Sequence, residues 1–270
     1  MSQKKEIIIV KLGGSIATLK HASTPAIRRA HMRALGQELR KQYNPEQHSL
    51  ILIHGAGSFG HLHAHRYALT LGTKDHLEKT FRAVENQSLD AKLNSELTNL
   101  FIQSGLPVVG MPTRTIAFNR SGMFSSLFVQ SIETALQAGA IPLLHGDMVF
   151  DRAWGLSILS GDVLLAKLAK QFKVSKVFFA SDVDGVFSED PHRFQNATLV
   201  QTTTLEKLNQ TAKLTSSHNQ DVTGGLAKKF TYLQGIRSLR SIYFFNGLIP
   251  KNFSFLFDQK DFFGTVIHKK

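Results

Sequence analysis

Three glycine-bearing turns point most directly to chemistry in this sequence. Each lies where a strand or loop precedes a predicted helix: Gly13-Gly14-Ser15, the stretch from Gly55 to Gly60, and Gly224-Gly225. Glycine lets backbone N–H groups approach an anion closely, and a helix N-terminus adds unpaired donors and partial positive charge. Lysines accompany two of the turns: Lys11, Lys20 and Lys228. The turns therefore indicate a ligand with several phosphates and a phosphoryl-transfer enzyme.

The third turn carries a second sign of anion binding. Lys228 and Lys229 fall in the first turns of the helix expected after Gly225. A positive side chain there opposes the helix dipole, and a bound anion would compensate for it. This local conflict favours a phosphate ligand at the turn.

Two aspartates near glycine-containing turns are further candidates. Asp162 begins a predicted helix, and Asp182 follows a predicted strand. Aspartate in such places often caps helices or forms turns, but its carboxylate can also position a lysine, bind a nucleotide or hold magnesium through water. We interpret Asp162 and Asp182 as functional, and Asp147 and Asp184 as turn residues in the first instance.

The Gly55–Gly60 stretch also satisfies the GxGxxG pattern of dinucleotide-binding sites. That interpretation expects an acidic residue about 20 positions on, at the end of the next strand. Asp75 has the distance, but residues 71–76 lack a strand pattern. No stretch supplies the Walker A pattern GxxxxGK[ST], and the protein-kinase motifs His-Arg-Asp and Asp-Phe-Gly are missing. A kinase would therefore belong to neither common class.

Three alternating histidines, His61, His63 and His65, raise the alternative of a metal site, because the first and third share a helix face. A closed site needs further ligands, and nothing nearby in the sequence supplies them. We therefore predict no protein-held metal, with His63 and His65 at the surface or lining a pocket. His61 directly follows Gly60 at the helix start, where it can point at a bound anion.

The composition excludes several classes of protein. The chain has 270 residues, 42% of them apolar, so it can bury a large core, and it contains no cysteine. The apolar run near the N-terminus, Ile7 to Val10, is too short for a signal peptide or membrane span. We expect a cytoplasmic protein that does not bind a membrane.

The net charge of +12 is compatible with a nucleic-acid partner. The lysines and arginines are scattered, however, and no nucleic-acid motif accompanies them, so we expect no such partner.

Short apolar runs alternate with longer stretches of helical spacing. The runs predict strands buried on both faces: Ile7–Val10, Leu50–Ile53, Val108–Val109, Ile141–Leu144, Val177–Ala180, Ile242–Phe245 and Val266–Ile267. The intervening stretches predict helices: 25–42, 77–103, 125–138, 162–172 and 225–237. This alternation predicts an α/β protein with a mostly parallel central sheet covered by helices. Ligands of such sheets collect at the carboxyl ends of the strands, where the glycine turns lie.

The sequence resembles the amino acid kinase superfamily and, within it, the isopentenyl phosphate kinases, through the His-Gly-x-Gly-Ser-Phe-Gly-His stretch. The matching motifs span nearly the whole chain in the expected order: Lys11 to Ser15, His54 to His61, Gly146-Asp147, Ser160 to Asp162, Ser181 to Val186, Asp221 to Lys228 and Gly264 to Ile267. The resemblance implies a three-layer αβα sandwich of two lobes. Residues 1–165 would bind the acceptor phosphate, and residues 166–270 would bind ATP.

The resemblance also implies the activity, which is transfer of the γ-phosphoryl group of ATP to isopentenyl phosphate, giving isopentenyl diphosphate and ADP. Mg²⁺ is expected with ATP, held mainly by phosphates and water, and a homodimer is common in the family. The acceptor is already an anionic nucleophile, so positioning and cationic groups must mainly overcome repulsion between anions.

By the same resemblance, five residues are expected to be catalytic. Lys11 would contact the transferring phosphate, and Lys20 would stabilise charge in the transition state. His61 would hydrogen-bond the acceptor phosphate, and Asp162 would orient Lys11 and Lys228. The acceptor would also contact Gly55, Gly60, Ser160 and Gly161. ATP would contact Lys11, Gly13, Gly14, Ser15, Ala56, Asp182, Gly224 and Lys228.

The sequence departs from the family pattern at three positions. Ala56 replaces a glycine of the histidine-glycine loop, Val163 replaces a second aspartate, and Leu19 replaces a polar residue before Lys20. Two rival functions stay open: a kinase of another small phosphate or phosphonate, similar to fosfomycin-resistance kinases, and a noncatalytic nucleotide-binding regulator. An apolar acceptor tail would need apolar walls from about residues 62 to 105, for which Leu62, Leu69, Phe81 and Val84 are suitable.

Overall fold

The computed structural model describes residues 5–19, 24–74, 76–189, 194–208, 210 and 230–269. The strands of this part are β1 Glu6–Leu12, β2 His48–His54, β3 Val108–Gly110, β4 Ala117–Arg120, β5 Met123–Leu127, β6 Ile141–His145, β7 Asp147–Asp151, β8 Gly155–Leu159, β9 Lys176–Ser181, β10 Thr202–Thr204, β11 Ser241–Asn246 and β12 Thr265–His268. The α-helices are α1 Gly14–Ala17, α2 Arg29–Gln42, α3 Gly57–Arg66, α4 Leu77–Gln103, α5 Gln130–Gln137 and α6 Gly161–Gln171.

The main sheet contains all seven predicted strands. Among the described residues its order is β10-β12-β11-β9-β1-β2-β6-β3, and every neighbouring pair is parallel except β11 with β12. β1 lies between β9 and β2, with Leu12 opposite both Ala180 and His54. The carboxyl ends of β9, β1, β2 and β6 therefore meet at one edge, as the alternating pattern predicted.

Both faces of the main sheet are covered because its strands are apolar on both sides. Ile8 and Val10 pack on one face against α2 and α4, whereas Ile9 packs on the other face against α5 and α6. All three side chains are essentially inaccessible to solvent. The result is the predicted three-layer αβα sandwich.

A second, four-stranded sheet was not predicted. Its order is β5-β4-β7-β8, and it holds part of the stretch for which the sequence indicated a helix over residues 125–138. Met123–Leu127 instead pairs antiparallel with β4, and the helix begins only at Gln130. The strands have mixed burial because the sheet is partly exposed, so they lack the continuous apolar signature of the main sheet.

The second sheet is held by Asp151 at one turn and by α4 along one face. The Asp151 carboxylate accepts N–H bonds from Ser121, Gly122, Ala153 and Trp154. These bonds outweigh burial and lower the pKa of Asp151 to about 2. On the other side, the side chain of Gln87 in α4 donates to the Met148 carbonyl at 2.7 Å. β7 and β8 are thereby fixed beside α4.

None of the helices in the described ranges is long and apolar enough to cross a membrane.

Candidate functional site

The first two glycine turns pack backbone against backbone at the ends of β1 and β2. An ideal Cβ on Gly14 would lie 2.7 Å from the Gly57 Cα atom, and one on Gly55 would lie 2.8 Å from the Gly14 nitrogen. These distances are too short for any side chain. The turns therefore meet closely only because both positions are glycine.

The start of α3 is fixed by Thr18, which follows α1. Its hydroxyl donates to the Gly14 carbonyl and accepts the Ser58 N–H. Gly57 has φ +53°, and a Cβ there would collide with the Thr18 hydroxyl. The departure at Ala56 is harmless by comparison, because its φ of −63° and ψ of −25° suit any residue.

A short ion pair joins β1 to α6. The Lys11 ammonium lies 2.6 Å from the Asp162 carboxylate, and the two side chains are only 12% and 16% exposed. Asp162 is held in the first helical turn by Ser160, whose hydroxyl accepts the Val163 N–H. A Cβ on Gly161 would lie 2.9 Å from Lys11 Cε. The predicted contact between Lys11 and Asp162 is therefore present, over a separation of 151 residues.

These elements surround one depression, which we call the central cleft, with a cavity volume of about 120 Å³ and an open mouth. It contains eight of the predicted site residues: Lys11, Gly55, Ala56, Gly60, His61, Ser160, Gly161 and Asp162. His61 is exposed at the cleft, one turn into α3, because the helix begins at Gly57 rather than at His61 as expected. The structure thus brings the predicted acceptor residues together.

Two stacked histidines lie beneath the turns that end β2 and β6. The rings of His54 and His145 are 5.1 Å apart, and both are fully buried. The Nδ1 atom of each ring hydrogen-bonds the next glycine carbonyl, at Gly55 and Gly146 respectively. Burial lowers both pKa values, and that of His54 falls to about 3, with the neighbouring His145 contributing. Both rings are therefore neutral donors that fix the turns.

The cleft also contains polar residues that the sequence interpretation missed or ranked low. Asn86 and Asp90 project from α4, one helical turn apart, and Asp147 begins β7. The Asp147 carboxylate accepts from the backbone N–H and the guanidinium of Arg114. The pKa of Asp90 is raised well above its ordinary value. Burial is the largest cause, the nearby Asp147 charge is the second, and the charge of Arg114 acts in the opposite direction. Burial therefore favours the protonated form of Asp90.

The expected apolar walls differ from the prediction. Leu69 is buried in a packed cluster, whereas Leu62, Phe81 and Val84 are 59%, 60% and 51% exposed. The cleft takes its apolar surface instead from α3 and the second sheet: Ala64, Met148, Ile158 and Leu159. The sequence interpretation missed these because it did not predict the second sheet.

Val163 is one of the three positions where the sequence departs from the family pattern. It packs against the apolar cluster of Ala117, Val149 and Leu159.

The remaining predicted residues fall outside the central cleft or outside the described residues. Gly13 follows β1, and Gly14 and Ser15 form the first turn of α1. Asp182 follows β9, with its carboxylate 3.3 Å from the Ser181 hydroxyl. Lys20, Gly224 and Lys228 lie outside the described residues. His63 is bonded to the Arg82 carbonyl through Nε2.

The sequence matches the family model described as "Amino acid kinase family" over residues 6–231. The chain belongs to the amino acid kinase family, whose fold it shares. The resemblance inferred from the motifs is thereby confirmed.

The chain is also similar to individual members of the family, which are isopentenyl phosphate kinases. The chain is 32% identical to the isopentenyl phosphate kinase of Methanothermobacter thermautotrophicus, over 84% of this chain and 85% of the relative. It is 27% identical to the isopentenyl phosphate kinase of Thermoplasma acidophilum, over 97% of this chain and all of the relative. A solved structure described as isopentenyl phosphate kinase superposes with a TM-score of 0.81 at 26% identity, covering 97% of this chain and 100% of the other.

Proposed function

We propose that this phosphotransferase transfers the γ-phosphoryl group of ATP to isopentenyl phosphate. An oxygen of the acceptor phosphate attacks the γ-phosphorus, the bond from that phosphorus to the β–γ bridging oxygen breaks, and ADP leaves with the bond's electrons. The relatives named isopentenyl phosphate kinase support the substrate. The observation that carries the chemistry is the Lys11–Asp162 pair beside two interlocked glycine turns.

Lys11 supplies the positive charge that the reaction needs between two anions. Asp162 fixes the ammonium at one place, which lowers the cost of positioning it during transfer. Lys11 lies on β1 and contacts α6, so both elements determine its position. Asp162 acts on the reaction through this lysine and serves as a positioning residue.

The acceptor phosphate binds at the N-terminal turn of α3. Its partners are His61 and the backbone around Gly55 and Gly60, with Ser160 and Gly161 on the facing helix. A helix N-terminus attracts a phosphate, and His61 adds a hydrogen bond to it. The neutral ring of His54 fixes the Gly55 carbonyl by donating a hydrogen bond to it.

ATP binds to the second part of the chain. We assign residues 1–165 mainly to the acceptor and residues 166–270 mainly to the nucleotide. Asp182 contributes to the nucleotide site from the second part, and Gly13, Gly14, Ser15 and Ala56 contribute to it from the first. For Lys20, Gly224 and Lys228 we propose the roles that the family resemblance implies. Mg²⁺ accompanies ATP and is held mainly by phosphates and water. Cytoplasmic localisation and a homodimer are proposed from the family resemblance alone.

A coupled ADP-release assay tests this function. Purified protein receives magnesium-ATP with isopentenyl phosphate, dimethylallyl phosphate, fosfomycin or an amino acid. We expect ADP release with isopentenyl phosphate, with the diphosphate product seen by phosphorus NMR. Absence of turnover with every phosphate and phosphonate would refute the proposal, and turnover of fosfomycin alone would favour the rival kinase.

A further inference from the structure

Two buried polar side chains from α4 form an unusual part of the central cleft. Asn86 is 4% exposed and Asp90 is 1% exposed, and both line the cleft. The neighbouring cleft residues Ala64, Met148 and Ile158 are apolar. A wall that held only a hydrocarbon tail would be expected to be apolar throughout, since buried polar groups without partners are costly.

The hydrogen bonds of the pair are incomplete. The Asn86 amide donates to Asp90 Oδ2 at 2.8 Å. Asp90 Oδ1 and Asn86 Oδ1 are both buried and have no protein partner. Since Oδ2 already accepts a bond, the carboxyl proton belongs on Oδ1. The pair therefore offers one free donor, the Asp90 Oδ1–H, and one free acceptor, the Asn86 oxygen.

The next polar residue along the same helix face behaves differently. Asn94, four residues after Asp90, is also buried, but its amide bonds the Leu143 carbonyl and the His54 ring. Asn94 is thus used by the fold and lies outside the cleft lining. On this face, the unmet atoms that belong to the cleft lining are Asn86 Oδ1 and Asp90 Oδ1, and a ligand in the cleft would complete them. Arg82 Nε, one turn before Asn86, is also buried without a partner, but it lies outside the lining.

The position of the pair sets how far its ligand group lies from the phosphate. A Cβ on Gly60 would collide with Asp90 Oδ1, so this oxygen lies directly against the backbone before His61. His61 is the proposed phosphate ligand. A group that reaches Asp90 must consequently lie within a few bonds of the phosphate.

We propose that the Asn86–Asp90 pair binds a hydroxyl group on the acceptor, so that short hydroxyalkyl monophosphates are substrates of the same site. A hydroxyl group donates one hydrogen bond and accepts others, which matches the free acceptor and the free donor. The reaction is unchanged, because the phosphate is still the nucleophile and the hydroxyl serves only in binding. This inference rests on the proposed kinase function and extends its range of acceptors.

Matched acceptors test the proposal on the wild-type enzyme. 3-Hydroxypropyl phosphate is compared with butyl phosphate, and 4-hydroxybutyl phosphate with pentyl phosphate, so that a hydroxyl replaces a methyl at constant length. Isopentenyl phosphate is the reference. We expect kcat/KM at least about tenfold higher for one hydroxylated member than for its methyl partner, because the methyl leaves buried polar atoms unmet.

Two variants locate the effect at the pair. Asp90→Leu should lower kcat/KM for the hydroxylated acceptor at least about tenfold and raise it for isopentenyl phosphate, which reverses the preference. Asp90→Asn should keep the preference, because an amide is also a neutral donor. Glu96→Gln on the same helix, where Glu96 pairs with Arg29 at 2.8 Å outside the central cleft, is the control.

The outcomes separate the two proposals. Absence of turnover with isopentenyl phosphate and all the other phosphates overturns the kinase function itself. Turnover of isopentenyl phosphate without any advantage for hydroxylated acceptors overturns only the role of the pair. An equal loss of both acceptors in Asp90→Leu also overturns it, because that result describes a purely structural residue.

Discussion

The two walls of the central cleft differ in how completely their polar groups are satisfied. The phosphate wall, formed by Lys11, Gly55, Gly60, His61 and Asp162, contains a 2.6 Å ion pair and closely packed backbone. The α4 wall, formed by Asn86 and Asp90 with Met148 and Ile158, leaves two buried oxygens without partners. The first wall is organised before any ligand binds, whereas the second is completed by one. We therefore assign the reaction to the phosphate wall and the choice of acceptor to the α4 wall.

The largest expected effect is on the phosphate wall. Lys11→Met should lower kcat about 10³-fold, because it removes a fixed positive charge from the reacting phosphates. Steady-state ADP release measures it. Lys176→Met is the matched control, since that lysine lies on neighbouring β9 and pairs with Glu6 at 3.5 Å away from the central cleft. A loss of similar size in both variants would contradict the assignment.

Gly14→Ala should lower kcat/KM about 10²-fold. Its Cβ would press on the Gly57 backbone and displace the start of α3, and shifts of about 1 Å can cost this much. Gly235→Ala is the control, because nothing lies within 4 Å of a Cβ there. Activity near wild type in Gly14→Ala, with folding confirmed by circular dichroism, would show that the close contact between the turns is unimportant.

His61→Ala should lower turnover at least about tenfold, as expected when one donor to the acceptor phosphate is lost. The loss should be similar for hydroxylated and apolar acceptors, because the proposed role of His61 is to bind the phosphate that all of them share. His65→Ala, an exposed residue of the same helix, provides the comparison. Unchanged kinetics in His61→Ala would show that the phosphate binds elsewhere.

The buried histidines predict acid sensitivity. The folded-state pKa of His54 is about 3, below its ordinary value of 6.5, so the unfolded state binds the extra proton between these values. Stability is therefore fully present above pH 6.5 and falls as the pH drops towards 3, by up to about 1.4 kcal/mol per pH unit for one histidine. Urea unfolding across this window measures the slope. His54→Asn should flatten it, and exposed His76→Asn should not.

The smallest effect is expected on the α4 wall. Asp90→Leu should lower the melting temperature of the free protein by only a few degrees, because it removes one unmet buried oxygen but leaves the Asn86 amide without its acceptor. Differential scanning calorimetry without ligand measures it. A fall of more than about 5 °C would mean that Asp90 stabilises the fold itself.

The main sheet could be predicted because its strands are buried on both faces and therefore continuously apolar. Residues 141–144 and 242–245 are examples, and both form strands as expected. The second sheet could not, since Met123–Leu127 has the sequence MFSSL, which shows neither an apolar run nor alternation, and part of it lies in a stretch that also suits a helix. Sequence patterns reveal burial on two faces more clearly than burial on one.

The site was predictable to a similar, limited degree. The glycine turns and Lys11 carry a local signal, because glycine and lysine beside strand ends are unusual without a ligand. The contact of Lys11 with Asp162 depends on tertiary structure and followed only from the family resemblance. Asn86 and Asp90 were missed, since polar residues in a long helix resemble its exposed face. The spacing of Asn86, Asp90 and Asn94 at intervals of four was the available signal.

The position of β1 limits how the protein can move. This strand carries Lys11, and its backbone bonds β9 on one side and β2 on the other. A hinge between residues 1–165 and 166–270 would have to break the pairing of β1 with β9. Motion that widens the cleft is therefore expected in peripheral elements such as α3 or the second sheet, while β1 stays fixed. Amide hydrogens of β1 should accordingly exchange with solvent among the slowest in the chain, with or without substrate.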